Sequence, residues 1–135
     1  MALDRAVSAS PWSEQVLAPY LRSSSADTHV ALVLEVAGEL AGFLFYTRLL
    51  DEANIDNLAV AQDHQGKGCA TALLAAGLRE MSAGGLVRCL LEVRKSNVAA
   101  RALYENNGFV VDGIRPRYYK TARGREDALL MSRRL

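Results

Sequence analysis

The sequence predicts an α+β domain of three-layer α/β build, a mixed central sheet of about six strands flanked by helices. Three observations predict it. Two β-rich runs, Val30 to Val36 and Leu40 to Arg48, are joined by Ala37-Gly38-Glu39 and read as an antiparallel hairpin. A short strand, Ile55 to Val60, then leads through a polar loop and Gly66-Lys67-Gly68 into a helical pattern. A further strand, a capped helix and two closing strands follow. An antiparallel meander ahead of a strand–glycine turn–helix unit excludes a purely parallel sheet and implies a mixed one.

Residues 1–12 carry little pattern. Ser13 is placed to cap a short helix through Glu14, Val16, Leu17 and Leu21, bent by Pro19, and Ser23-Ser24-Ser25 breaks it. After the hairpin, Ala70, Leu73, Leu74, Gly77, Leu78 and Met81 recur at helical spacing. Gly84-Gly85 ends that helix. Leu86 to Val93 reads as a strand with Val87, Cys89, Leu91 and Val93 on one face and Leu86, Arg88, Leu90 and Glu92 on the other. Ser96 or Asn97 caps a helix from about Val98 to Asn107, closed by Gly108. Phe109 to Ile114 and Ala128 to Met131 read as the closing strands, with the polar stretch Arg115 to Asp127 as the loop between them.

The 135 residues suit one domain, 1–135, with a sizeable core. Half the residues are hydrophobic, 23% are charged and the net charge is +1, a mix that suggests neither a general nucleic-acid binder nor an acidic tail. Cys69 and Cys89 have no His or Cys neighbours at ligand spacing, so neither a metal site nor a framework disulfide is expected. The opening MALDRAVSASPWSE lacks a signal pattern and no apolar run spans a bilayer, so a cytoplasmic protein without membrane contact is expected. His29 and His64 stand alone and read as surface or loop residues.

A strand, a glycine turn and a helix aim several free backbone N–H groups at one point, with the positive end of the helix dipole behind them. That arrangement binds phosphate. A Walker A loop is excluded because Gly68 stands where its Ser or Thr would hold magnesium. A dinucleotide fingerprint fits Gly66 and Gly68 but meets Thr71 at its third glycine, although Glu92 lies where a ribose-binding acid would sit. The pattern [Gln/Arg]-x-x-Gly-x-[Gly/Ala] is matched in full by Gln65-Gly66-Lys67-Gly68-Cys69-Ala70.

That loop resembles the pyrophosphate loop of the GNAT N-acetyltransferases, which bind acetyl-CoA. The run LEVRKSNVAARALYENNGF, Leu91 to Phe109, resembles the second half of the family's core. Pro11-Trp12-Ser13-Glu14, Leu50-Asp51-Glu52-Ala53, Asn57-Leu58-Ala59-Val60 and Gly124-Arg125-Glu126-Asp127-Ala128 resemble its RimI-type branch, and Arg117-Tyr118-Tyr119 does so less closely. That branch acetylates the N-terminal alanine of a small-subunit ribosomal protein. The resemblance covers roughly residues 11 to 131. Two departures stand out. Family members begin with a strand before the first helix, and this chain reads as starting after it. The loop carries Gly66-Lys67 and Ala70 where close relatives more often have bulkier polar residues and a glycine.

The resemblance implies acetyl-CoA as cosubstrate and no metal. It implies a protein or peptide N-terminus as acceptor, with a ribosomal protein as the candidate, and a monomer or weak dimer. It makes Glu92 the base and Tyr104 the acid; on residue chemistry alone the first is a solvated strand-end carboxylate and the second an aromatic holding helix to sheet. Leu58, Val60, Gln65, Gly66, Lys67, Gly68, Cys69, Ala70, Thr71 and Asn97 are the expected cofactor contacts, although Asn97 as a helix cap needs no cofactor. Trp12, Asp51, Tyr118 and Tyr119 are the expected acceptor contacts, with Asp51 and Glu52 equally readable as an acidic turn. Arg115, Arg117, Lys120, Arg123 and Arg125 form a basic cluster on what reads as a solvated loop. Two other functions share these features: acetylation of a small amine, and a non-catalytic acyl-CoA sensor that would need neither Glu92 nor Tyr104.

Overall fold

Ala37 and Gly38 both take positive φ, 54° and 82°, the two-residue turn whose twist matches a hairpin. It joins β2 (His29–Val36) to β3 (Glu39–Leu49) as the apolar pattern predicts. The computed structural model describes residues 20–26 and 28–135. Ahead of the hairpin lies β1 (Tyr20–Ala26), paired antiparallel with β2 from Tyr20↔Glu35 to Ala26↔His29. Leu21 and Ser23-Ser24-Ser25 are therefore strand, not the end of a helix and its break. Ladder pairing with β2 overrides the weak local propensity of a serine run. Trp12 and the rest of that expected helix, residues 13–19, lie outside the described residues.

β4 (Glu52–Val60) pairs antiparallel with β3, and β5 (Arg88–Arg94) lies parallel to β4 across the crossover helix α1 (Cys69–Ala83). A second helix, α2 (Val98–Asn106), precedes the hairpin of β6 (Val110–Thr121) and β7 (Gly124–Arg134). Among the described residues the sheet has seven strands in the order β1-β2-β3-β4-β5-β7-β6, mixed as expected and one strand larger. The stretch Arg115 to Asp127 is two extended strands with a tight turn, not a loop. Its side chains are largely exposed on both faces, so it lacks the apolar alternation by which a strand is read from sequence.

The helical stripe is buried as predicted at Leu73, Leu74, Gly77, Leu78 and Met81, with Cys69 rather than Ala70 at its head. It packs on the β2 and β3 face that presents Leu32, Leu34 and Leu44. Apolar burial of this kind contributes roughly 1.5–3 kcal/mol per large side chain. Tyr46 Oη donates to Glu80 Oε1 at 2.5 Å and fastens β3 to the same helix. On β5, Cys89, Leu91 and Val93 are buried as predicted. Val87 is 49% exposed and Leu86 is buried, because the strand begins at Arg88 and the alternation does not extend back. The helix C-termini close as expected, with Leu86 N–H bonded to Met81 O at 3.0 Å and Gly108 at φ 90°.

Candidate active site

The parallel ladder between β4 and β5 is short. Glu52↔Arg88, Ala53↔Cys89 and Asn54↔Leu90 pair, and beyond them the strands part, although β4 continues to Val60 and β5 to Arg94. One cause is visible in the neighbouring register. Phe45 pairs with Asn57 but Tyr46 pairs with Ile55, so Asp56 is an unmatched bulge residue that bends β4. Thr47 Oγ1 donates to Asp56 Oδ2 at 2.5 Å, and Asn54 Nδ2 donates to Asp56 Oδ1 at 3.0 Å, which orients the bulged carboxylate.

The gap is a cavity of about 220 Å³ that passes between the two strands. Leu58, Leu91, Val93, Ala100 and Tyr104 line it on the helix side; Asp56, Glu92, Arg94 and Tyr119 line it on the other. Alternation along β5 puts Leu91 and Glu92 on opposite faces, so Glu92 and Tyr104 meet the gap from opposite sides of the sheet. A reacting carbonyl held in it has a carboxylate toward one face and a phenol toward the other.

Tyr104 is 8% exposed and packs edge-on against Phe109 at 5.6 Å between ring centroids. Burial first, and the neighbouring Cys89 second, push its phenol above its ordinary value, so it stays protonated. Burial likewise pushes the Cys89 thiol up to about 12, which makes it inert. Glu92 is exposed, with Oε2 at 3.7 Å from Arg115 Nη1. Asn97 Oδ1 accepts from Ala100 N–H at 3.1 Å, so the residue is the cap of α2 while also lining the gap.

The glycine turn stands at the C-terminal end of β4. Gly66 and Gly68 have φ of 78° and 82°, and a Cβ at Gly66 would meet nothing within 4 Å, which leaves its backbone open to a ligand. Gly68 caps α1 with no side-chain acceptor, there is no acidic residue in the first turn, and the first helical bond is Ala72 N–H to Gly68 O at 2.9 Å. The amides of Cys69, Ala70 and Thr71 therefore have no helical acceptor and fit an anion. The Cys69 side chain is 2% exposed, so only its backbone faces such a ligand. Gln65 Nε2 donates to Val60 O at 3.1 Å and ties the turn to the strand end. His64, beside it, is buried rather than on the surface. Burial, chiefly, holds its imidazole below the ordinary value although Glu39 Oε1 lies 3.6 Å from Nε2, because that carboxylate is mostly in water.

The structure brings Leu58, Glu92, Asn97, Tyr104 and Tyr119 to one cavity. Asp51 is not among them: it sits at the β3–β4 turn, at the other end of β4, with its carbonyl accepting from Val87 N–H at 2.7 Å. Tyr118 points away, 44% exposed under the Arg115 guanidinium. Asp56 and Arg94 were missed from sequence. The bulge that brings Asp56 to the gap leaves no local signal, whereas Arg94 was legible two residues after Glu92 on the same strand face.

A sheet that opens between two parallel strands beside a glycine-led helix defines an acyl-transfer fold, and the acetyltransferase (GNAT) family model matches residues 2–109. The chain belongs to that family. It is 39% identical over 130 residues, covering 96% of this chain and 85% of the relative, to the [ribosomal protein bS18]-alanine N-acetyltransferase of Escherichia coli K12. The crystal structure of the ribosomal-protein-S18-alanine N-acetyltransferase from Escherichia coli superposes with a TM-score of 0.78 at 40% identity, covering 82% of this chain and 71% of that one. A Bacillus anthracis structure solved in complex with acetyl coenzyme A shares the fold, with a TM-score of 0.74 at 22% identity over 82% of this chain and 65% of its own. Among the described residues no helix is long and apolar enough to cross a membrane.

Proposed function

We propose that this chain transfers an acetyl group from acetyl-CoA to the N-terminal alanine of ribosomal protein bS18. The observation that carries the reading is the gap between β4 and β5, with Tyr104 on its helix side and Glu92 on the opposite side. Its similarity to enzymes with that activity supports the acceptor.

The free amides of Cys69, Ala70 and Thr71, with Gly66 and Gly68 leaving the backbone bare, hold the pyrophosphate of acetyl-CoA, which supplies the activated acetyl thioester. The acceptor enters from the Glu92 side, past Tyr119. Its α-amine has an ordinary pKa of ~7.7–8.0, so a carboxylate is base enough to take the proton as nitrogen attacks. The C–N bond forms, the C–S bond breaks, and Tyr104 donates its proton to the departing sulfur. Glu92 releases its proton to solvent and Tyr104 regains one from it.

A buried phenol is a reluctant donor, and an ordinary thiolate of pKa ~8.5 would not take its proton readily. The same burial acts on the thiolate. A sulfur anion released beside Tyr104 gives up part of its hydration to the apolar side chains there, which raises its basicity. Burial thus raises both proton affinities rather than the phenol's alone.

The test is incubation with acetyl-CoA and short peptides that differ at position one, read by mass spectrometry. Peptides beginning with alanine gain one acetyl group at the N-terminus, and free polyamines react more slowly. A small free amine acetylated with far higher kcat/KM than any N-terminal peptide would overturn the acceptor assignment.

A further inference from the structure

The acceptor side of the gap is bounded by two segments that are distant in sequence. One is the turn from β5 into α2, Arg94 to Asn97; the other is the β6–β7 ribbon that carries Tyr119. One side chain, Glu126, joins them. Its Oε1 accepts from Ser96 N–H at 3.1 Å and from Ser96 Oγ–H at 2.8 Å. Its Oε2 lies 3.6 Å from Arg94 Nη1, and the Arg94 guanidinium sits 4.4 Å from the centroid of the Tyr119 ring. Glu126 is also the cross-strand partner of Tyr119.

That partnership depends on an irregularity. Arg115 pairs with Ala128 and Tyr119 with Glu126, so Pro116, Arg117 and Tyr118 together oppose only Asp127. Arg117 takes φ 53°, a left-handed conformation uncommon for a residue with a side chain, and its N–H donates to Asp127 Oδ1 at 3.0 Å. The bulge turns the ribbon so that Tyr119 lines the gap while Tyr118 stays outside it.

We propose that Glu126 is a positioning residue for the acceptor, clamping the β5–α2 turn to the β6–β7 ribbon and fixing Arg94 beneath Tyr119 so that the ring forms a rigid wall of the acceptor entrance. Glu126 does not line the gap and makes no contact with reacting atoms. The two Ser96 hydrogen bonds, followed by Arg94, hold its carboxyl below the ordinary carboxylate value, consistent with a carboxylate that is anchored rather than free. The planar guanidinium matters because it meets the carboxylate at its edge and the ring with its face; a lysine has neither feature.

The inference rests on the proposed function for the identity of the acceptor, and its test has an arm that does not. Amide hydrogen exchange on the full chain reads the clamp directly. Glu126→Ala speeds exchange at Ser96, whereas Glu126→Gln, which keeps a carbonyl oxygen for Ser96, preserves most of its protection. The kinetic arm uses whichever amine the wild type acetylates. Glu126→Ala raises the acceptor KM about tenfold with kcat within about threefold and acetyl-CoA affinity unchanged, the size of one lost pairwise coupling. Glu126→Gln falls between it and wild type, because the Arg94 charge partner is lost and the Ser96 bonds are not. In a Tyr119→Ala background the effect of Glu126→Ala on KM disappears, as it must if Glu126 acts through that ring. Unchanged exchange at Ser96, or an equal KM effect with and without Tyr119, would overturn the assignment. If Glu126→Ala does not fold, Glu126→Gln paired with Tyr119→Ala supplies the same cycle. A wild type inert toward N-terminal peptides refutes the acceptor assignment but leaves the exchange result to decide the clamp.

Discussion

At Gly77 α1 lies close against the sheet, and replacing it with alanine tests how the helix is seated. A Cβ built there overlaps Leu44 Cδ2 and lies 3.8 Å from Leu44 Cγ and 3.9 Å from Leu32 Cδ2. Leu44 is fully buried in a close-packed interior, so moving its side chain disturbs its neighbours. Overpacking of this kind costs typically ~1–3 kcal/mol, while removing a mid-helix glycine contributes ~1 kcal/mol in favour of the helix. The overlap sets the sign, and the net loss is up to about 2 kcal/mol. For a chain of 135 residues that corresponds to a melting temperature lower by up to about 7 °C, since unfolding entropy is ~2.1 cal/mol/K per residue. Leu44→Ala alone costs ~2–5 kcal/mol by leaving a cavity, and the methyl group that Gly77→Ala introduces fills part of it. The double variant is then more stable than the sum of the two losses predicts, by about 1 kcal/mol or more. Differential scanning fluorimetry of the four proteins measures this cycle. A Gly77→Ala protein that melts above the wild-type temperature, with no coupling to Leu44→Ala, would refute the close seating of α1 on β3.

Glu92→Gln and Tyr104→Phe each lower kcat by about 10²–10⁴-fold with acetyl-CoA affinity nearly unchanged; wild-type rates in both would favour a sensor over an enzyme. Gly68→Val places a β-branched side chain at φ 82°, where the pyrophosphate must approach, and abolishes the rise in melting temperature that acetyl-CoA produces while the fold persists. If the shift survives, the phosphate binds elsewhere. His64 has a folded-state pKa below its unfolded value near ~6.5, so the unfolded chain binds more protons between the two. Its contribution to stability is present above pH ~6.5 and is lost as pH falls toward the folded value. His64→Gln therefore flattens the fall of melting temperature over that acid range, and an unchanged slope would show that His64 is not the group responsible.

Features governed by residues close in the chain were legible in the sequence. The apolar stripe of α1, the hairpin turn after Val36, the Asn97 cap and the glycine closing α2 each depend on bonds within a few residues, and so do the free amides after Gly68. The position of Glu92 opposite the buried face of β5 follows from alternation alone. Tertiary structure decided where those parts meet. The opening between β4 and β5 depends on a bulge at Asp56, defined only by the register against β3. That Tyr119 enters the gap and Tyr118 does not depends on three residues of β6 facing one of β7. Strand register is set by partners far along the chain, and a shift of one residue exchanges the two faces. For the same reason the ribbon from Arg115 to Asp127 reads as a polar loop until β6 and β7 pair, and Asp51, adjacent in sequence to the start of β4, lies at the opposite end of that strand from the gap.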